Sequence, residues 1–313
     1  MLRALMTRLA GTLIVLVGVT LLVFLLAHII PGDPVEVMLG EHAAAADRQA
    51  LRESLGLERP LAGQLVQYYT GLIHGELGYS LYNKQAVSDL IIERLPATAQ
   101  LSLAAILVAV CLAVPAGLIA AVRQGRFADR LVSGVSMFGL SVPNFVFGPL
   151  LMLVFAVWLG WLPVSGREDP GSVILPALTL GTALAAMLMR MLRSSLLEVL
   201  GEDYVRSARA RGLSPLRVLL RHALRNAWLP VLTLLGLQLG ALLAGAVITE
   251  TVFNWPGIGR LTVEAIEKRD YPLIQGCVLF ISIVYVGINL LTDLVYLWAD
   301  PRLRTQAPAR QVP

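Results

Sequence analysis

The residues with the clearest chemical pattern in this sequence are arginines. Arg217, Arg221 and Arg225 recur at intervals of four, so a helix would carry their guanidinium groups on one stripe. Like charges at this spacing repel each other by roughly a few tenths of a kcal/mol per pair, so the stripe does not stabilise the helix that carries it. The chemistry that it offers is ionic binding, either to anionic lipid headgroups or to another protein.

Patterns that mark catalytic sites are absent from the sequence. There is no GxxxxGK[ST] stretch, whose backbone N–H groups would hold nucleotide phosphates, and no GxSxG or HExxH. The four histidines are too far apart in the sequence to suggest a shared site. They are His28, His42, His74 and His222. We therefore expect a chain that is not an enzyme and that holds no metal or cofactor of its own.

Composition places the arginines in a membrane protein. Of the 313 residues, 57% are hydrophobic and 15% are charged, compared with roughly 25% charged residues in soluble domains. Net charge +4 does not indicate nucleic-acid binding, because the basic residues lie in short loops beside apolar runs. Cys111 and Cys277 have no partner at a metal-binding or disulfide-framework spacing, so we interpret them as packing residues.

Six apolar stretches are long enough to cross a bilayer as helices, which takes about 20 residues. They lie near residues 9–30, 101–122, 131–158, 174–192, 228–248 and 277–298. The first is too long for a signal peptide and is followed by HIIPGDP rather than by a cleavage site, so we expect it to be retained. Pro115, Pro143 and Pro149 predict kinks in the second and third spans, which either border a pathway or serve packing alone.

The distribution of Lys and Arg predicts the orientation of the chain. The N-terminus, the second-to-third loop, the segment from Arg190 to Arg225 and the tail together hold 16 of the 25 basic residues. The opposite side holds 15 of the 21 acidic residues. By the positive-inside rule the arginine-rich side is cytoplasmic, and we expect both termini there.

Two long segments are then expected on the outward side. Residues 31–98 include an amphipathic series too rich in Leu, Tyr and Ile for a solvated linker, which predicts short helices on the membrane or on a partner. Residues 250–276 contain Trp255, Pro256 and Gly257, followed by helical apolar spacing at Leu261 and Ala265. We expect a short helix folded back toward the mouth of a pathway, with anchoring of the aromatic residues at the lipid interface as the alternative.

The segment between the fourth and fifth spans predicts two helices joined by a tight turn. Gly212 suits the C′ position with φ > 0, Ser214 suits the N-cap, and Pro215 suits the first helical position. Lipid headgroups explain only the charge of this segment, whereas docking of a soluble cytoplasmic partner explains the charge, the turn and an apolar packing stripe. The stripe follows helical spacing and comprises Leu216, Leu219, Leu220, Ala223, Leu224 and Ala227.

This segment resembles the EAA loop of ATP-binding-cassette (ABC) importer permeases, which sits in a cleft of the ATPase subunit. Counted back from Gly212, the three family letters fall on Arg206, Ser207 and Ala208, so only the last Ala matches. Leu224 matches the Leu of the family's Leu-Pro, and Arg225 replaces the Pro. Other stretches are similar to the first permease subunit of the dipeptide, oligopeptide and nickel branch. They include HIIPGDPVEVMLG, ERLPATAQLSL, HALRNAWLPVLT, ETVFNWPGIGRL, RDYPLIQG and DPRLR, and the resemblance covers nearly the whole chain.

The resemblance implies an all-α, polytopic membrane protein in the bacterial cytoplasmic (inner) membrane, with a type I importer core of five helices and one added N-terminal helix. Its expected parts are an N-terminal helix with a periplasmic segment (1–94), the transmembrane domain (95–302) and a cytoplasmic tail (303–313). The implied partners are a sister permease in a heterodimer, two ATPase subunits that bind ATP and Mg²⁺, a substrate-binding protein, and membrane lipid. The implied cargo is dipeptides or short oligopeptides moved by alternating access, with glutathione or nickel complexes as alternatives.

Two groups of residues are expected to carry this function. Those expected to couple to the ATPase are Ala208, Arg209, Gly212, Leu213, Ser214, Pro215, Arg217, Arg221 and Leu224. Those expected along the pathway or at its gate are Pro143, Asn144, Trp255, Pro256, Gly257 and Asp293. Asp293 is either a structural partner of a cytoplasmic-side arginine or a proton relay, and the relay would favour the alternative class of ion-coupled secondary transporters.

Overall fold

The computed structural model describes residues 2–29, 35, 39, 44–54, 57–169 and 171–299. These residues form helices joined by turns, with one isolated β-bridge between Tyr79 and Ala86, so the all-α prediction is confirmed. The helices are α1 (Leu2–Ile29), α2 (Ala45–Ser54), α3 (Leu61–Ile73), α4 (Val87–Val122), α5 (Phe127–Ser141), α6 (Asn144–Leu151), α7 (Ile174–Leu200), α8 (Asp203–Ala210), α9 (Pro215–Arg217), α10 (Leu224–Val252), α11 (Ile258–Glu267) and α12 (Tyr271–Ala299). Two π-helical segments, Met152–Trp158 and Val218–Ala223, continue α6 and α9 respectively.

Residues 1–99 and 255–284 make one compact unit. Its buried cluster joins the first turns of α4 to α11 and to the first turns of α12, and comprises Val87, Leu90, Ile91, Ile258, Leu261, Ala265, Leu273, Ile274 and Cys277. The expected helices of the outward segment are present as α2 and α3. Helix α3 is tied to α1 by a 3.0 Å hydrogen bond between the hydroxyl groups of Tyr69 and Thr20.

Residues 100–254 and 285–313 belong to a second unit, whose central helix is α7. The most apolar window of α7 is 61% buried, whereas the corresponding window of α4 is 33% buried. Helix α7 approaches α4 closely at Gly181, where a Cβ atom would lie only 2.7 Å from the Ala105 carbonyl oxygen. Helix α10 packs on α12 through Gly236 and Gly240, each of which leaves room for a side chain of α12.

The predicted spans fall on helices of the structure, but the helices do not always begin and end where the spans do. Among the described residues, three helical stretches are long and apolar enough to cross a membrane: Val87–Val122, Ile174–Leu200 and Tyr271–Thr292. The third predicted span is a pair of helices, Phe127–Ser141 and Asn144–Trp158, bent by 106°, and it makes a fourth candidate if the pair counts as one span. The total of six spans remains a prediction.

Candidate functional site

The turn between α8 and α9 has the predicted backbone. Helix α8 ends at Ala210, Arg211 is its C-cap, and Gly212 follows with φ +78°. Ser214 is extended at the N-cap position and Pro215 occupies the first turn, although the Ser214 side chain makes no capping hydrogen bond. The first helical hydrogen bond runs from the Val218 N–H to the Ser214 carbonyl oxygen at 3.0 Å. We call residues 201–227 the arginine loop.

A small apolar core holds the arginine loop together. Val205 and Ala208 of α8 are buried against Val218, and Leu213 of the turn packs on this cluster. Ala208 is only 1% exposed, so it packs inside the loop rather than presenting a surface. The Asn226 amide also donates a 2.7 Å hydrogen bond to the Tyr204 hydroxyl oxygen, which ties α8 to α10.

The predicted apolar stripe of the second helix is wrong in part. Leu216 and Leu220 are 65% and 48% exposed, whereas the buried residues are Val218, Ala223 and Ala227. The cause is the π-helical segment Val218–Ala223, in which hydrogen bonds span five residues and widen the turn. Buried positions therefore recur first after five residues and then after four, and regular α-helical spacing does not apply.

The outer surface of the arginine loop is basic. Arg209, Arg217, Arg221 and Arg225 are exposed, and the exposed side chains of Leu216 and Leu220 lie among them in the sequence. Arg206 pairs with Asp203 at 3.3 Å, but both side chains are largely solvated and the pair adds little stability. Leu224 is half-buried. The loop thus presents positive charge interrupted by two large apolar side chains.

Trp255, Pro256 and Gly257 precede α11, so the short helix expected in this segment is present. Trp255 is 1% exposed, and its indole N–H donates to the Ala97 carbonyl oxygen at 2.8 Å. The Ile258 N–H donates to the Thr98 hydroxyl oxygen at 2.8 Å. Trp255 therefore anchors this turn to α4 from a buried position, and anchoring at the lipid interface does not describe it.

The remaining pathway candidates lie at a helix break and in α12. Pro143 is the N-cap of α6 and Asn144 is its first residue, so both stand at the 106° bend. Asp293 lies within α12, and its side chain falls outside the described residues. Pro149 lies inside α6 and Pro115 inside the continuous α4.

A buried carboxylate in the unit formed by residues 1–99 and 255–284 was not anticipated. Asp270 is 1% exposed and accepts a 2.5 Å hydrogen bond from the Ser80 hydroxyl. It also accepts the N–H groups of Leu81, Tyr82 and Leu273 at 3.1–3.3 Å. Nearby, the Lys268 ammonium lies 3.9 Å from the centre of the Tyr82 ring. Ser80 and Asp270 are 190 positions apart, so no local pattern signals their contact.

A second unanticipated carboxylate, Asp129, is buried at the start of α5 and pairs with Arg193 of α7. Within the ranges that the structure describes, no group of three His, Cys, Asp or Glu residues has metal-site geometry.

Comparison with known proteins adds the family context. A family model described as "Binding-protein-dependent transport system inner membrane component" matches residues 113–305, and the model for the corresponding N-terminal region matches residues 1–104. The chain is 46% identical to the di/tripeptide transport system permease protein DppB of Pseudomonas aeruginosa (strain UCBPP-PA14), over 92% of this chain and 95% of that protein. It is 44% identical to the glutathione transport system permease protein GsiC of Escherichia coli O6:H1, over 97% and 99% of the respective chains.

The fold also matches a solved structure. A chain from the inward-facing MetNI methionine ABC transporter (CY5 SeMet soak crystal form) aligns with a TM-score of 0.57 and 18% identity, covering 67% of this chain and 96% of that one. At this identity the likeness concerns the fold alone.

Proposed function

The chain belongs to the family of binding-protein-dependent transport system inner membrane components, and from that premise we propose that it conducts peptides of two or three residues. As a family member it is a permease subunit of an ABC importer in the inner membrane and not an enzyme. The identity of the cargo is the more specific part of this proposal. Relatives named for di/tripeptides and for glutathione, itself a tripeptide, match at 46% and 44% identity over nearly the whole chain.

The family works with ATPase subunits and a substrate-binding protein, and we add a sister permease as the other half of a heterodimer. An open, largely apolar groove of about 700 Å³ along α10 and α12 supports this addition, since a translocation pathway needs a second wall. The residues that line it include Leu229, Pro230, Thr233, Leu237, Ile288 and Thr292. ATP and Mg²⁺ are assigned to the ATPase subunits, because this sequence has no phosphate-binding loop.

The arginine loop is proposed as the contact with an ATPase subunit. Leu216 and Leu220 supply exposed apolar area, and Arg217 and Arg221 supply charge beside it. A surface for lipid headgroups alone would not need two large apolar side chains together with a left-handed glycine turn. Ala208 and Leu213 contribute by holding the two helices at the angle that presents this surface.

The proposed orientation places both termini and the arginine loop in the cytoplasm, with domain limits at 1–94, 95–302 and 303–313. Single cysteines at Ser214 and Gly63, both exposed, test this orientation in a chain whose Cys111 and Cys277 are replaced by serine. In intact spheroplasts a membrane-impermeant maleimide should label the cysteine at position 63 and should reach the cysteine at position 214 only after lysis. Labelling of position 214 in sealed cells would reverse the orientation.

The cargo is tested by reconstituting the chain with its sister permease, ATPases and binding protein in proteoliposomes. We expect uptake of labelled dipeptides and tripeptides that requires ATP and the binding protein, and no uptake by this chain alone under a proton or sodium gradient. Glutathione and a nickel chelate are run in parallel as competing cargoes. Uptake of the chelate but of no peptide would overturn the assigned cargo, and gradient-driven uptake by the chain alone would favour a secondary transporter.

A further inference from the structure

The cytoplasmic ends of α4, α5 and α7 meet at a buried ion pair. The Arg193 side chain donates to both carboxylate oxygens of Asp129, from Nε at 2.7 Å and from an Nη atom at 2.8 Å. The Gly125 N–H donates to the same carboxylate at 2.9 Å, and the Ser133 hydroxyl donates at 3.4 Å. The side chain of Asp129 is 6% exposed and that of Arg193 is 29% exposed. The four donors occupy the hydrogen-bonding capacity of the carboxylate.

The geometry of this pair is rigid. Bidentate pairing of a guanidinium with a carboxylate fixes both distance and orientation, which a single contact does not. Both backbone polar groups of Gly125 form hydrogen bonds with side chains. Its N–H donates to Asp129, and its carbonyl oxygen accepts from the Arg130 guanidinium at 3.3 Å. With φ +72°, Gly125 also sets the left-handed turn between α4 and α5. Arg193 is therefore joined to the whole α4–α5 turn and not to one side chain.

The position of Arg193 links this turn to the arginine loop. Arg193 lies on α7 two turns before the helix ends at Leu200, and α8 begins three residues later at Asp203. Val199 and Leu200, the last residues of α7, pack on the apolar core of the arginine loop. A displacement of the loop would thus be carried along the end of α7 to Arg193.

We propose that Asp129 and Arg193 are positioning residues that transmit movement of the arginine loop to the α4–α5 turn. The inference rests on the proposed contact between the loop and an ATPase subunit. When the ATPase moves the loop, the bidentate pair makes α7 and the α4–α5 turn move together. Without the pair, the loop can still be bound and moved, but the α4–α5 turn follows the end of α7 less closely.

The test uses the complete reconstituted transporter and measures peptide uptake per ATP hydrolysed. The variant Asp129→Asn/Arg193→Met removes both charges, so no unpaired buried charge remains to impair folding. Arg193→Lys keeps the charge but loses the bidentate geometry. The matched control is Arg190→Met, which removes an exposed arginine from the same helix, one turn earlier.

We expect the double variant and Arg193→Lys to co-purify with the ATPases at wild-type abundance and to hydrolyse ATP. Peptide uptake per ATP should fall by on the order of tenfold if the pair contributes a coupling free energy of ordinary size between the two sites. Arg190→Met should keep the wild-type ratio.

The outcomes separate this proposal from the function on which it rests. If the wild-type complex imports no peptide, the assigned function fails. If the wild type imports peptide and the double variant keeps the wild-type ratio, the positioning role fails. Loss of abundance or of ATPase co-purification in both variants would assign the pair to assembly alone and would also overturn the proposal.

Discussion

Gly212→Val is the change that most directly tests how the arginine loop is built. Gly212 has φ +78°, a conformation that a β-branched residue adopts only under strain. A Cβ atom at this position would meet nothing within 4 Å, so a clash with neighbouring side chains does not contribute. Any effect of the substitution must therefore come from the backbone.

The size of the effect of Gly212→Val follows from this backbone strain. A strained left-handed residue costs about 1–3 kcal/mol, which corresponds to roughly a 5- to 150-fold change in an equilibrium constant. The loop has little buried area to resist the strain, because its core consists mainly of Val205, Ala208 and Val218. We expect the apparent affinity for the ATPase subunits to decrease by a factor within this range, because a smaller fraction of the permease has the loop in the conformation that binds.

Binding of the ATPase subunits to the permease pair in nanodiscs measures this effect. The matched control is Gly212→Asn, since asparagine tolerates the left-handed region and should bind almost as the wild type does. Arg217→Glu should leave the loop folded but weaken binding and change its dependence on salt. If Gly212→Val binds as tightly as Gly212→Asn, the turn does not set the docking geometry and the reasoning is refuted.

Two further substitutions test the packing of each unit. Gly181→Ala would place a Cβ atom 2.7 Å from the Ala105 carbonyl oxygen and should destabilise the chain by about 1–3 kcal/mol, measured as a lower thermal midpoint in detergent. The control is Gly139→Ala, at a position where a Cβ atom would meet nothing within 4 Å, and it should be neutral or slightly stabilising. Equal shifts of the two thermal midpoints would contradict the close approach of α7 to α4. Asp270→Asn leaves one oxygen for four donors and should weaken the fold by about 1.5–3 kcal/mol, with faster proteolysis of residues 79–86, while Ser80→Ala should have a smaller effect. Unchanged proteolysis in Asp270→Asn would show that its carboxylate does not hold this segment.

Features governed by neighbouring residues were predictable from the sequence. The left-handed glycine, the extended N-cap and the proline in the first turn each depend on the backbone preference of one residue, and the structure confirms Gly212, Ser214 and Pro215 in these positions. The short helix α11 was predictable for the same reason, since it lies between two turns and has regular apolar spacing.

Helix extent was less predictable, because hydropathy identifies the part of a helix that suits a bilayer and not the part that continues beyond it. Helix α4 begins at Val87, well before the predicted span at residue 101, since Asp89, Glu93 and Arg94 end the apolar run without ending the helix. The π-helical segment Val218–Ala223 was missed for a related reason. Its residue types are compatible with an ordinary α-helix, and only packing in three dimensions selects the wider turn.

Asp129 and Asp270 show the limit of predicting the environment of a charged residue from the sequence. Asp129 and Arg193 are 64 positions apart, and from the sequence Arg193 is only one of the basic residues of the predicted cytoplasmic side. Its pairing does not alter the predicted orientation, because the positive-inside rule counts Lys and Arg and gives acidic residues little weight. It does alter the interpretation of the charge. Arg217 and Arg221 are exposed, whereas Arg193 is paired with Asp129 at the α4–α5 turn, so arginines that look equivalent in the sequence differ in whether they are available to a partner.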